Sequence, residues 1–325
     1  MTRIVMHLFL LIALVGMTTT GCVTTSEKNY IAIGNQYAKD GLLREAAESY
    51  KKALAKNYKK STANRNLGLV LVKMGEYKAA IRHLEKAMAT YENDFDANFY
   101  LGEAYRANDK YSEAIFRYNK ALKIEDNNPK ALKPLAWSYF KIRYYSEALI
   151  TARKLNKVAP QDDQSGIILS RTLLKMKRSR EAYTVLKAAK KDIDRGSRPY
   201  YNSVEGDILF DLKKIKGAMR AYKSALKDQP LLAGALLGIG RCMMEINKPE
   251  IAITYMERAV RIRPRLTEAH YLLGKAYENK DKQKSLRYYH HFAKQASADP
   301  EFLAILNDVK IRIGQLQKSQ KTSKN

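Results

Sequence analysis

Small and apolar residues return at one fixed interval along almost the whole chain. Gly34, Gly68, Gly102, Ala136, Ser170, Gly206, Gly240 and Gly274 stand 34 residues apart, except for a single step of 36. Ala46, Ala80, Ala114, Ala148, Ala182, Ala218 and Ala252 keep the same step. A third series runs Ala53, Ala87, Ala121, Leu155, Ala189, Ala225, Ala259 and Ala293. Inside one interval the spacing is helical: Tyr30, Ile33, Gly34 and Tyr37 make one stripe, and Ala46, Tyr50 and Ala53 make another. Between the stripes lie turn formers, as in Lys39-Asp40-Gly41 and Lys73-Met74-Gly75. Each interval therefore predicts two antiparallel helices. Small residues sit where the helices cross, and large ones such as Tyr105 and Tyr118 fill the space beside them. Pro160, Pro230 and Pro264 fall after second helices, where proline ends a helix at little cost.

Three registers sharing a 34-residue period resemble the tetratricopeptide repeat (TPR) family. The resemblance covers nearly all of residues 27–298, in eight repeats starting near Glu27, Ser61, Phe95, Pro129, Asp163, Pro199, Ala233 and Thr267. It implies an all-α fold, a right-handed superhelical solenoid of helix-turn-helix units. Repeat eight is expected to diverge most, with Leu286 where the others have Ala and His290 at the large position. Residues 299–317, apolar at Phe302, Leu303, Leu306, Val309, Ile313 and Leu316, predict a helix capping the last repeat. Residues 318–325 form a basic tail without apolar residues, expected to be disordered. The two extra residues fall near 192–199, between repeats five and six. They predict a small local change of superhelical angle.

The first 21 residues do not share the repeat. Arg3 precedes an apolar run of about 13 residues, shorter than the roughly 20 that span a bilayer, so the segment predicts an export signal. Met17-Thr-Thr-Thr-Gly-Cys22 resembles a bacterial lipobox, whose cysteine carries lipid. Thr19 stands where that family prefers Leu, and cleavage by an ordinary signal peptidase is the alternative. The expected layout is a signal peptide over 1–21, a lipid tether over 22–26 and the repeats over 27–298. Val23 after the cysteine, by resemblance to enterobacterial sorting, implies a lipid-anchored protein at the outer membrane facing the periplasm.

The formal net charge is +26, an excess that calls for an anionic partner or surface. Nucleic acid is the usual partner of such an excess, but an exported chain is expected to meet acidic protein segments or anionic headgroups instead. Of the two cysteines, Cys242 lies mid-helix among Ile239, Met243 and Ile246, as an inert core thiol does. The histidines have no Cys, Asp or Glu at metal-ligand spacing, and no nucleophile stands beside a base in any known motif. No catalytic residue, metal or cofactor is expected.

In TPR proteins the first helices line the binding groove through positions 2, 5, 9 and 12 of each repeat. Carried to this chain, those positions imply a protein-binding groove of Phe99, Arg106, Lys130, Lys133, Trp137, Phe140, Arg171, Tyr200, Phe210, Arg241 and Tyr271. Ile167 and Leu174 occupy further such positions. Trp137, the one tryptophan, is expected either to face the groove as a binding anchor or to pack on the next repeat. The Lys/Asn clamp by which some relatives hold chaperone tails is represented only by Asn35 and Asn66, so a groove for acidic or apolar peptide segments fits better. The architecture resembles the TPR lipoproteins of type IV and Tad pilus assembly. That implies a non-catalytic scaffold for an envelope machine such as a pilus or secretin. Alternatives are polysaccharide export, outer-membrane protein assembly, or activation of a cell-wall enzyme.

Overall fold

The structure, a computed structural model, describes residues 27–56, 60–189, 193–297 and 299–322. The expected signal peptide, the tether, Cys22 and the last three residues of the tail lie outside the described residues. Among those described there are helices and no strands, and none of the helices is long and apolar enough to cross a membrane.

The described residues form two compact blocks, divided between Ile124 and Glu125. The first holds three helix pairs: α1 (Glu27–Lys39) with α2 (Leu43–Ala55), α3 (Lys60–Lys73) with α4 (Tyr77–Tyr91), and α5 (Phe95–Ala107) with α6 (Tyr111–Ile124). The second holds five: α7 (Pro129–Lys141) with α8 (Tyr145–Val158), α9 (Asp163–Lys175) with α10 (Ser179–Ala189), α11 (Arg198–Asp211) with α12 (Ile215–Asp228), α13 (Ala233–Glu245) with α14 (Pro249–Ile262), and α15 (Thr267–Tyr277) with α16 (Lys282–Ala296). A 3-10 turn (Pro300–Phe302) leads into α17 (Leu303–Thr322), which packs on α16. Helix therefore continues to Thr322, past the point where a disordered tail was expected. Its last turns carry Gln and Lys, which favour helix without needing a buried face.

In the first block each pair is held at a crossing where no side chain fits on the first helix. A Cβ on Gly34 would lie 2.6 Å from the Tyr50 ring, one on Gly102 2.7 Å from Tyr118, and one on Gly68 2.5 Å from Leu84. The alanines of the second helices, Ala46, Ala80 and Ala114, are completely buried. The tyrosines also end in a hydrogen bond. Tyr50 donates to Asn35 Oδ1 at 2.8 Å and Tyr118 to Glu103 Oε1 at 2.5 Å, each acceptor following the crossing glycine.

Three of the five pairs in the second block repeat the arrangement. A Cβ on Gly206 would meet Tyr222 at 2.5 Å, on Gly240 Met256 at 2.4 Å, and on Gly274 Tyr289 at 2.5 Å. Tyr222 is wedged against two repeats, since a Cβ on Gly238 would reach its ring at 2.3 Å. The last pairing corrects the expected register of repeat eight. Ser285, Tyr289 and Phe292, fully buried, take the places expected of Leu286, His290 and Ala293, while His290 is exposed. The second helix has slipped by one residue because its turn is one residue short of the common pattern.

That turn explains the slip. In repeats one to seven one residue between the helices has positive φ: Gly41, Gly75, Asp109, Arg143, Lys177, Lys213 and Asn247. They recur with the period of the array, and only the first two are glycine. Neither glycine has an atom within 4 Å of a built Cβ, so backbone conformation rather than space requires them. Repeat eight lacks this left-handed residue and instead enters α16 from Asp281, whose carboxylate accepts from Lys284 N at 2.9 Å.

The left-handed conformation costs an L-residue about 1–2 kcal/mol, and glycine returns about 0.5–1 kcal/mol of that through its freer unfolded chain. Lys177→Gly is therefore expected to stabilise the chain by roughly 0.5–1 kcal/mol, and Gly41→Ala to destabilise it by about 1 kcal/mol. Denaturation followed by circular dichroism measures both. Equal stability of Lys177→Gly and the parent would contradict the strain at this turn.

Candidate functional site

In the second block the first helices α7, α9, α11, α13 and α15 lie side by side, each touching the next. Position 9 of each helix follows its crossing residue and so points along the shared face. In repeats four to seven that position holds Trp137, Arg171, Asp207 and Arg241. Trp137 stacks on Phe140, one turn later, with ring centroids 5.4 Å apart. The Arg171 guanidinium lies over both rings, 5.2 Å from Trp137 and 5.4 Å from Phe140. Lys141 covers Trp137 at 5.5 Å. Phe210 and Arg241 repeat the motif on the next two helices, at 4.2 Å.

The charges along this row are unevenly matched. Arg241 lies 3.8 Å from Asp207 and 3.5 Å from Glu268. Tyr222 donates to Asp207 at 2.8 Å, which ties the crossing residue of repeat six to the face. Crowding around Asp207 pushes its carboxyl upward, against the pull of Arg241, the Tyr222 hydroxyl and Arg171. Burial works against the charge on Arg241, but Glu268, Tyr222 and Asp207 outweigh it and hold its proton more tightly. Arg171 has no carboxylate at ion-pair distance among the described residues, and burial lowers its hold on its proton. Asp207, the acid that acts on it from further away, opposes the effect of burial.

The structure brings Trp137, Phe140 and Arg171 together, and Phe210 with Arg241. Trp137 is half-buried against the core around Ile167 and Ile168, with Arg171 and Lys141 lying over its ring. Lys133 is held by the Asp162 carboxylate, which also caps α9 through Gln164 N and Ser165 N. Lys130 and Tyr200 are exposed. Tyr271 packs on Phe292 at 5.6 Å, in the cluster closed by the cap helix. Phe99 and Arg106 belong to the first block. Phe99 is buried beside Phe95 and Tyr118, and Arg106 pairs with Glu103 at 2.7 Å. Sequence reasoning missed Asp207, although the position-9 register that selected Trp137, Arg171 and Arg241 also runs through it.

Among the described residues no three His, Cys, Asp or Glu side chains converge as a metal ion requires. Cys242 is fully buried, and its thiol is pushed up to about 11, chiefly by burial, so it is not a reactive thiolate near neutral pH.

The repeating helix pair with one left-handed turn residue defines a class, the all-α solenoid of protein-interaction repeats. Within that class its fold is that of the tetratricopeptide repeat solenoid. Tetratricopeptide repeat models match residues 59–126, and 31–73 with 204–266; a model of anaphase-promoting complex, cyclosome, subunit 3 matches 107–189. None of the curated proteins compared with it matches. Among solved structures, a tetratricopeptide repeat protein from Parabacteroides merdae ATCC 43184 is similar at 17% identity and TM-score 0.62, covering 78% of this chain and 100% of that one. The APC/C hetero-tetramer Cut9-Hcn1 is similar at 12% identity and TM-score 0.63, covering 89% and 57%. PilF of Pseudomonas aeruginosa is similar at 20% identity and TM-score 0.51, covering 63% and 92%. At these identities the likeness is one of fold.

Two histidines away from the row carry a pH dependence. His270 is buried, its Nε2 lies 2.8 Å from the Pro264 carbonyl, and Nδ1 has no partner among the described residues. Burial first, then the facing His291, lowers its affinity for a proton, while the Pro264 contact opposes them. Burial likewise lowers that of His83, with Lys86, Arg82 and Lys51 adding to it. An unfolded histidine protonates near pH 6.5, and these two resist protonation while folded. The stability they contribute is thus present above about pH 6.5 and is lost as pH falls toward their folded values. Melting temperature is expected to fall between about pH 7.5 and 5.5, and less steeply in His270→Gln. An unchanged slope in the variant would contradict this assignment.

Proposed function

We propose that the chain is a non-catalytic scaffold that holds acidic or aromatic protein segments on the first-helix face of repeats four to seven, within the cell envelope. The observation that carries this reading is the row Trp137, Phe140, Arg171, Phe210 and Arg241, where guanidinium groups lie over aromatic rings. Arginine and aromatic side chains are the types that dominate binding hot spots, and the +26 charge draws acidic partners toward them.

The envelope part of the proposal rests on residues 1–22, with Cys22 as the lipidated residue and the repeats facing the periplasm from the outer membrane. Assistance to a pilus or secretin is the assembly task that this architecture suits. Excess Lys and Arg would add attraction to anionic headgroups, which salt weakens.

Trp137→Ala combined with Arg171→Glu is expected to abolish co-purification of envelope partners with the chain while leaving its helix content unchanged by circular dichroism. Retained partners would move the site off this face. For the anchor, Cys22→Ser is expected to release the chain from membrane fractions. Undiminished membrane association would remove lipidation at Cys22 from the account.

A further inference from the structure

The strip that begins at Arg171 does not end at Phe140. Tyr145, at the start of α8, meets Phe140 with ring centroids 5.7 Å apart. Beside it stand two more cations, Arg143 in the left-handed turn of repeat four and Lys175 at the end of α9, close enough to influence the Tyr145 hydroxyl. Both are already engaged by the chain itself. Arg143 pairs with Asp299 and lies 3.4 Å from Glu301, and Lys175 lies 2.7 Å from Glu301. The partners come from the short link between α16 and α17, some four repeats further along the chain.

This acidic link is seated in a way that shows what the surface accepts. Its carboxylates, two residues apart in Asp299-Pro300-Glu301-Phe302, both approach Arg143 Nη2, while Asp299 also accepts from Glu301 N at 3.0 Å. Arg171, the third cation of the strip, has no carboxylate at ion-pair distance among the described residues, and Asp207 acts on it from further away. The side chains of Arg143, Asp299, Glu301 and Lys175 all remain between a quarter and a half exposed. Ion pairs this open to water are individually weak and screened by salt, so a second acidic segment can compete for the same cations.

We propose that the acidic link at Asp299 and Glu301 is an internal stand-in for the partner: an acidic peptide segment with an aromatic residue nearby docks on Arg143, Lys175, Arg171 and the Trp137–Phe140–Tyr145 strip by displacing it. This deepens the reading under Proposed function and rests on it. The link is covalently tethered, which gives it a high local concentration, so a partner gains the site only by offering more contacts. Arg171, which lies over Trp137 and Phe140 and pairs with neither Asp299 nor Glu301 among the described residues, supplies them.

The test uses the full chain, a variant with Asp299→Asn and Glu301→Gln, and a fluorescein-labelled peptide copying residues 296–304. Polarisation of the label and the emission of Trp137, the one tryptophan, report binding. The variant is expected to bind the peptide at least about ten-fold more tightly than the parent, as removal of a tethered competitor requires. Adding Arg143→Glu should abolish the gain, and a peptide with Asn and Gln at its two acidic positions should not bind. Small-angle scattering of the variant, without peptide, should show a larger radius of gyration than the parent. Equal affinity of parent and variant overturns the displacement, whereas the groove reading is judged separately by partner capture in the Trp137 and Arg171 variant. Binding of the neutral peptide as tightly as the acidic one also overturns the proposal.

Discussion

In each of six repeats a large side chain on the second helix lies where the first helix has no room for even a methyl group. Tyr50, Leu84, Tyr118, Tyr222, Met256 and Tyr289 fill those places. The close approach sets the distance and roll of the two helices, and the left-handed residue between them sets the return angle. Together they leave one stripe of each first helix for the shared face. Position 9 falls on that stripe because it directly follows the crossing residue. The tyrosine hydroxyls make the link physical: Tyr222, fully buried, reaches Asp207 on the face itself.

The face inherits its chemistry from this constraint. Position 9 directly follows the small crossing residue, Ala136 and Ser170 in repeats four and five, so Trp137 and Arg171 stack from adjacent helices, and Arg241 meets Phe210 in the same way. Arginine held over an aromatic ring keeps its charge while losing part of its hydration, which favours a carboxylate over water as its next partner. The acid on the face, Asp207, is held by Tyr222 and Arg241 and acts on Arg171 only from beyond ion-pair distance.

Much of this was legible in the order of residues, because a helix pair buries a fixed stripe and the stripe recurs every 34 positions. The crossing glycines, the alanines behind them and the position-9 row could be counted out in advance. Repeat eight resisted because Gly274 and Ala293 keep the expected spacing, while the missing left-handed turn residue shifts the helix to bury Ser285, Tyr289 and Phe292 instead. Lys177 and Lys213 gave no sign of their positive φ, since lysine is not a residue that seeks it. The pairing of Arg143 with Asp299 was out of reach for a different reason. No local periodicity relates residues 156 positions apart, and only the packed array brings them together.

If the crossing contact governs the fold and the face it presents, Gly206 and Tyr222 must be energetically coupled. A double-mutant cycle measured by chemical denaturation tests this most directly. Gly206→Ala is predicted to cost about 2 kcal/mol in the parent, where the new methyl group would meet the Tyr222 ring, and much less in a Tyr222→Leu background. A coupling of roughly 1–2 kcal/mol supports the account. Costs that simply add, with no coupling between the two positions, would contradict it.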